Sequence, residues 1–314
     1  MNSPTARALV TGGAGFIGSS LVDLLVDESW DVLVTDDLST GHADNLQDAR
    51  RRGRVQLHTV DIRDDSLISV TERFRPDVVF HLAAQISVET SVRHPGQDAD
   101  VNVLGTINVL EATRRAGASR LVLAGSAATY GSGAKLPIRE SYARRPGSPY
   151  GVSKLAAENY ARMYASRYGI EIVVLTPSNV YGPRQRSSGE GGVVAEFAAM
   201  VTGGRQPTIF GDGKATRDFV YVEDVADAFL RAAARATGRN LNISTGIETS
   251  ITDLFDLMAG LDGFRKGPRF ADARPGDLER SVLDPAAAER YLGWKAWTSL
   301  EEGLIQTLDW VKGR

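Results

Sequence analysis

Ala8-Leu9-Val10-Thr11-Gly12-Gly13-Ala14-Gly15-Phe16-Ile17-Gly18 is a short apolar run that breaks into spaced glycines, and a helix-like segment, Ser19 to Asp27, follows at once. A strand that turns through glycines into a helix gathers several backbone N–H groups and the positive end of the helix dipole at one point, where a phosphate can sit. Gly12 would permit the tight turn, Gly15 the approach of a pyrophosphate, and Gly18 the packing of helix on strand. The next apolar run, Val32 to Asp36, ends on a carboxylate 18 residues beyond Gly18, where it can accept hydrogen bonds from ribose hydroxyls. Asp37 and Leu38 follow, with no Arg or Lys to receive a 2′-phosphate, so the pattern reads as NAD rather than NADP.

Further runs extend the alternation: Val55 to Val60, Val78 to Leu82, Leu121 to Ala124 and Ile172 to Leu175, with helix-like segments between them. This is the signature of βαβ units, and it predicts an α/β fold with a Rossmann-like, doubly wound parallel sheet. The near-continuous apolar character of the runs predicts cover on both faces. From Asn179 the pattern changes to a Gly/Pro/Ser-rich stretch, Tyr181 to Gly192, then helix-like segments parted by irregular ones, Gly203 to Gly213 and Gly263 to Gly276. The division expected is a dinucleotide-binding domain of residues 1–178 with 216–250, and a smaller C-terminal lobe of residues 179–215 with 251–314.

The chain's 314 residues suffice for two such units. No stretch of about 20 apolar residues could span a bilayer, and the first strand begins too early for an export signal to precede it. The expectation is a cytoplasmic protein without membrane contact. The absence of cysteine excludes disulfides and thiolate chemistry. A formal net charge of −3 without a basic cluster argues against nucleic acid as a partner, so a phosphorylated ligand must be held by a few placed groups. His42, His58, His81 and His94 show no ligand spacing, and no metal is expected.

Ser148-Pro149-Tyr150-Gly151-Val152-Ser153-Lys154 opens a long helix, with Ser148 as N-cap, Pro149 in the first turn and Gly169 as C-terminal cap. Tyr150 and Lys154 then share one face. A phenol is a poor base at neutral pH, but an adjacent ammonium and a positive nicotinamide ring both favour phenolate, which makes Tyr150 a usable proton carrier. Alternatively the pair lies on the outer face of an amphipathic helix whose buried stripe is Val152, Leu155, Ala156, Met163 and Tyr164. Strand Leu121 to Ala124 runs into Gly125-Ser126-Ala127-Ala128, so Ser126 emerges at the ligand end of a parallel sheet, either as a proton relay or as a turn residue bonding its own backbone.

Together with Asp61-Ile62, His81-Leu82-Ala83-Ala84, Asn102, Asn179-Val180-Tyr181-Gly182-Pro183, Thr216 to Val222 and Arg274-Pro275-Gly276-Asp277, these motifs resemble the extended short-chain dehydrogenase/reductase family over nearly the whole chain, nearest to its UDP-glucose 4-epimerases. The resemblance implies bound NAD, a UDP-activated hexose as substrate, and a homodimer formed by two helices from each copy, here Asp100 to Arg115 and Pro149 to Tyr168. It implies Ser126, Tyr150 and Lys154 as the catalytic set. Cofactor positions would be Gly12, Gly15, Phe16, Ile17 and Gly18 at the turn. After the second strand come Asp36, Asp37, Leu38, Ser39, Thr40 and Gly41. Asp61 and Ile62 would meet adenine, while Leu82, Ala83, Ala84, Gln85, Asn102 and Pro177 would line the dinucleotide. Substrate positions would be Ser87, Ser126, Ala127, Tyr150, Ser178 and Asn179, then Gly192, Val193, Thr208, Ile209 and Phe210. Arg217 and Arg274 would meet the diphosphate and Asp277 a ribose. From spacing alone, Arg217-Asp218 and Arg274 to Asp277 read more simply as local ion pairs; the resemblance reverses that preference.

Family members that eliminate water or carbon dioxide carry carboxyl groups just after the serine, where this chain has Ala127 and Ala128. The simplest cycle left is oxidation at C4, rotation of the keto sugar and reduction from the other face. Ser178, Arg184 and Arg186 leave room for a sugar carboxylate and hence UDP-glucuronate. Ser281, small where bulk is common, leaves room for UDP-N-acetylglucosamine. A non-catalytic NAD-binding sensor or scaffold on the same fold is the alternative of another class.

Overall fold

The structure, a computed structural model, describes residues 5–187, 192–273 and 278–313. Seven parallel strands form the central sheet in the order β11-β6-β5-β4-β1-β2-β3: β1 (Arg7–Thr11), β2 (Asp31–Asp36), β3 (Val55–Thr59), β4 (Val78–His81), β5 (Arg120–Ala124), β6 (Glu171–Pro177) and β11 (Asn240–Ile243). Helices α1 (Phe16–Asp27), α2 (Gln47–Arg52), α3 (Ser66–Phe74), α4 (Val88–Arg93), α5 (Pro95–Ala99), α6 (Gly105–Ala116) and α7 (Pro149–Tyr168) come from the first half, and α9 (Val222–Ala232) and α11 (Ala286–Leu292) from the second.

Side chains alternate across each strand, so the sheet has two cores. Ala8, Val10 and Val34 face Leu21, Leu25, Phe229 and Trp294 on one side, while Leu9, Leu33 and Leu121 face Leu67, Leu110 and Tyr164 on the other. The strand order reverses between β1 and β4, and the ends of these two strands open a crevice where ligands of such sheets bind.

The seventh strand is not among those the apolar runs predict. Asn240-Leu241-Asn242-Ile243 alternates amide and apolar residues, a weak signal, yet residues 241–243 lie fully buried at a sheet edge. Asn242 accepts from the Tyr130 hydroxyl at 2.8 Å and donates to the Ile138 carbonyl at 2.9 Å, which is how a buried amide is tolerated there.

Beyond the sheet, β7 (Asn179–Tyr181) pairs with β10 (Phe219–Tyr221), and β8 (Thr208–Phe210) with β13 (Arg269–Ala271). A third small sheet joins β9 (Thr216–Arg217) to β12 (Thr249–Ser250) and β14 (Arg280–Ser281). The stretches read as irregular thus carry strands of two or three residues, too short for periodicity to show. With α8 (Gly192–Thr202), α10 (Ile251–Asp262) and α12 (Leu300–Lys312) they enclose a separate core of Tyr181, Phe197, Phe219, Tyr221, Phe255, Met258 and Leu304.

Helix α7 corrects the alternative reading of its faces. Val152 is 54% exposed and Met163 44%, whereas Ser153, Lys154, Ala157, Glu158 and Ala161 are buried along with Tyr164. Ser153, Lys154 and Glu158 go inward because buried partners await them, while Val152 and Met163 look out.

Candidate active site

At the turn, Gly12 has φ +70°, a conformation that disfavours any side chain, and a Cβ there would lie 2.7 Å from the Ala83 nitrogen. A Cβ on Gly18 would lie 2.1 Å from the Gly12 carbonyl, so this glycine lets α1 start directly beneath the turn. Gly15 is the N-cap of α1 and supplies no side-chain cap, which leaves the first-turn N–H groups for an anion. Phe16 and Ile17, half-buried, begin the helix.

Asp36 is buried at the end of β2; one oxygen accepts from the Ala14 N–H and the other from the Leu38 N–H, both at 2.9 Å. Burial pushes its carboxyl above the ordinary value, and the two backbone donors oppose that shift. A Cβ on Gly41 would lie 2.8 Å from this carboxylate, so the glycine lets the chain pass close against it. Asp37, Ser39 and Thr40 are exposed beside it, and Asp37 accepts from the Ser39 N–H at 3.0 Å. The cradle fits a dinucleotide with an unphosphorylated 2′-hydroxyl, since Asp36 would repel a phosphate. Asp61 is held by Arg63, which also reaches Asp100 at 2.6 Å, and the bonds from Arg63 keep its carboxyl below the ordinary range. Ile62 is buried next to it.

Leu82, Ala83, Ala84 and Gln85 extend from β4, and a buried relay fixes them. The Ala83 N–H donates to Thr11 Oγ1 at 3.3 Å, and Thr11 meets His81 Nδ1 at 2.8 Å. His81 Nε2 meets Thr106 Oγ1 at 3.0 Å, and Thr106 donates to the Asn102 carbonyl at 2.7 Å. Because Thr106 has spent its proton, His81 must donate from Nε2 and accept at Nδ1. Burial and nearby Lys154 push His81 down to about 3, so it is neutral.

Asn102 lies in a π-helical turn, Asp100–Leu104, of the kind often found at functional sites. Its amide accepts from the Gln85 N–H at 2.8 Å and donates to the Gln85 carbonyl and to Ser153 Oγ, each at 3.0 Å. Ser153 in turn donates to the Tyr150 carbonyl at 3.0 Å. One amide thereby couples the cofactor wall to the helix bearing Tyr150 and Lys154.

Helix α7 starts as the sequence indicates: Ser148 Oγ accepts from the Gly151 N–H at 3.2 Å, Pro149 occupies the first turn, and Gly169 ends the helix at φ +72°. A Cβ on Gly151 would lie 2.7 Å from the Ala128 carbonyl, so this glycine lets the helix start press against the Ser126 turn. The first turn of α7, which carries Tyr150, is thereby packed against the Ser126 turn. Ser126 Oγ accepts from the Ala128 N–H at 3.2 Å, a bond that uses an oxygen lone pair and leaves the hydroxyl proton for a ligand. Lys154 is 6% exposed; burial lowers it to about 8, against the attraction of Glu158 and Asp98. It stays largely an ammonium at neutral pH.

Across the crevice, Pro177 ends β6 and exposed Asn179 begins β7. Ser178 Oγ donates to Asp218 at 3.3 Å, Arg184 pairs with Asp23 of α1 at 2.6 Å, and Arg186 is exposed. Arg217 donates to the carbonyls of Thr216 and Leu278, while Asp218 points away from it and accepts from Thr245, Gly246 and Leu283. The local Arg217-Asp218 ion pair is thus not the arrangement adopted. Gly192 and Val193 open α8, and Thr208, Ile209 and Phe210 form β8. Ser87 caps α4, accepting from the Thr90 N–H at 2.9 Å. Arg274 and Asp277 lie outside the described residues. Sequence reasoning missed Asp98, Ser153 and Asp218; only Asp98, one helical turn before Asn102, left a usable trace.

A family model described as GDP-mannose 4,6 dehydratase matches residues 9–307. The chain belongs to the extended short-chain dehydrogenase/reductase family. Within that family it is 44% identical to a UDP-glucose 4-epimerase of Mycolicibacterium smegmatis, over 98% of this chain and 99% of the relative. The UDP-glucose 4-epimerase of Thermotoga maritima, solved with UDP-glucose, superimposes with a TM-score of 0.94 at 40% identity, covering 98% of this chain and 99% of that one. That of Thermus thermophilus, solved with NAD, gives 0.90 at 41% identity, covering 98% and 99%. Among the described residues no cluster of three or more potential metal ligands exists, and no helix is long and apolar enough to cross a membrane.

Proposed function

We propose that this protein is an NAD-dependent 4-epimerase of a UDP-activated hexose of the glucose/galactose type. The observation that carries the reading is the contact of Gly151 with the Ala128 carbonyl, which sets Tyr150, backed by buried Lys154, against a serine turn that bears alanines at 127 and 128. One proton carrier without a second acid suits oxidation and reduction at a single carbon, not elimination. When bound, NAD supplies a two-electron acceptor and donor facing the sugar.

The turn at Gly12, Gly15 and Gly18 would hold the pyrophosphate, Asp36 the adenosine ribose, and Lys154 the nicotinamide ribose. Tyr150 takes the proton of the 4-hydroxyl, with Ser126 bridging, and returns it to the same oxygen once the 4-keto sugar has turned its other face to the nicotinamide. Asn179 and Arg217 keep the diphosphate in place during that turn, with Arg274 as a further charge partner and Asp277 at the uridine ribose. The commitment of Ser178 to Asp218 and of Arg184 to Asp23 favours a neutral hexose over a glucuronate. Ser281, small and in register with Arg217, supports UDP-N-acetylglucosamine as a second substrate.

The outward apolar row of Val152, Tyr160 and Met163, with Leu104 beside it, supports a homodimer through α6 and α7. Sedimentation should give twice the chain mass, and Val152→Asp should return it to one.

The function is tested by incubating the protein with a panel of UDP- and dTDP-sugars and reading products by NMR. Interconversion of 4-epimers without accumulating NADH is expected, and Tyr150→Phe should lower kcat about 10²–10⁴-fold with NAD retained. A 6-deoxy-4-keto sugar or a pentose as product would overturn the assignment.

A further inference from the structure

Lys154 is an ammonium with almost no water around it, and a buried cation needs an anion close by. Two buried carboxylates face it: Glu158, one turn along α7, and Asp98, on α5. Their surroundings differ. Glu158 has two guanidinium partners, Arg144 at 3.8 Å and Arg162 at 3.4 Å, and also accepts from the Asn240 amide at 2.8 Å. Its charge is already shared.

Asp98, 1% exposed, has neutral partners only: Oδ1 accepts from Gln85 Nε2 at 2.7 Å and from Asn102 Nδ2 at 3.2 Å. Its Oδ2 is buried without a hydrogen-bond partner; Glu158 Oε1 is likewise without one, but it has the Arg144 guanidinium at 3.8 Å, and Asp98 has no cation but Lys154 near it among the described residues. Amides orient this carboxylate but cannot neutralise it. The other charged groups around α7 are satisfied among themselves: Glu89 with Arg93 on α4, Glu111 with Arg114 on α6, and Asp100 with Arg63 at the π-helical turn. His81, facing Lys154 from β4, is neutral.

We infer that Asp98 is a positioning residue for catalysis: its carboxylate, aimed by Gln85 and Asn102, holds Lys154 in the charged form that lets Tyr150 act as proton carrier. The inference rests on the role proposed for Tyr150. Gln85 and Asn102 thereby acquire a second task, since the same two amides that line the cofactor wall fix the anion behind the lysine. Without Asp98, Lys154 sheds its proton more readily and the Tyr150 phenol retains its own.

The test reads Tyr150 directly. Holoenzyme is titrated by tyrosinate absorbance, and the Tyr150→Phe trace is subtracted so that only the Tyr150 step remains. In Asp98→Asn that step should move to higher pH by about one unit or more. With a UDP-hexose that the wild type epimerises, kcat at neutral pH should fall about tenfold while KM stays within about twofold, because no substrate contact is removed. Asp98→Glu should restore most of both, and Glu158→Gln should move the step less than Asp98→Asn. Asp98→Ser removes the charge with a smaller side chain and should repeat the result at equal NAD content. A Tyr150 step that stays put in Asp98→Asn overturns the inference and makes Asp98 part of the scaffold. So would loss of NAD from both charge-removing variants. Absence of any Tyr150-dependent step in the wild type is a separate outcome, which would sink the proton-carrier reading itself.

Discussion

The two walls of the crevice are built on different plans. The cofactor wall is drawn from consecutive βαβ units, and its side chains are fixed by a buried chain of neutral groups running from Ala83 through Thr11, His81, Thr106 and Asn102 to Ser153. The substrate wall is stitched from segments far apart in the chain, and a buried carboxylate does much of the stitching: Asp218 accepts from Ser178, Thr245, Gly246 and Leu283. A wall of contiguous, mutually satisfied groups is stiff, which suits a cofactor that stays in place. A composite wall leans on a buried anion, so the two plans fail differently when mutated.

The largest effect should follow from removing that anion. Asp218→Ala leaves three backbone N–H groups and two hydroxyls without their acceptor, and is expected to cost about 3–5 kcal/mol of stability. Thermal unfolding would measure the loss, and the comparison predicts that KM for the UDP-sugar rises more than the affinity for NAD falls. Equal losses on both sides would erase the distinction between the walls.

A second buried acid, Asp224, sharpens it. Asp224 lies in the first turn of α9, where a carboxylate complements the helix dipole, but it is wholly buried and accepts from the Thr298 N–H at 3.1 Å and hydroxyl at 2.9 Å, tying down the segment that leads into α12. Burial raises its carboxyl to about 6, against the Thr298 bonds that favour the ion. In that window the folded protein binds more protons than the unfolded one, so this group makes stability fall as pH climbs from about 4 to about 6, by at most about 3 kcal/mol. Asp224→Asn should flatten that part of the stability curve in denaturant titrations. An unchanged slope would show that Asp224 ionises freely in the fold.

The smallest change concerns the cofactor wall's rim. Asp36→Ala removes the carboxylate expected to repel a 2′-phosphate and to bind ribose, so NAD affinity should fall about tenfold and the preference for NAD over NADP should narrow. Calorimetric titration with each cofactor reads both. Retained discrimination would place its source outside Asp36.

Much of the cofactor wall was legible in the chain. The glycine turn, the acidic end of β2, and the capped helix from Pro149 to Tyr168 rest on local rules, because turn geometry and helix ends are set by residues a few positions apart. The orientation of α7 was not legible. Its apolar residues at Val152, Leu155, Ala156 and Met163 imitate a core-facing stripe, and only the presence of Asn102, Arg144 and Asn240 on the inner side explains why Ser153 and Glu158 face inward. Nor could spacing separate Arg217 from Asp218. The neighbours pair naturally on paper, yet the acid turns to amides from residues 245, 246 and 283.

By itself the sequence determined the α/β class, the dinucleotide turn and the capped helix that carries Tyr150 and Lys154, since each rests on contacts within a few residues or on motifs read in place. Tertiary structure alone decided that Lys154 is buried with Asp98 behind it, that Asn242 belongs to a seventh strand, and that Asp218 joins three distant segments. The physical reason is that a buried charge is stable only beside partners that folding brings in from elsewhere in the chain, and no local pattern records which partners those will be.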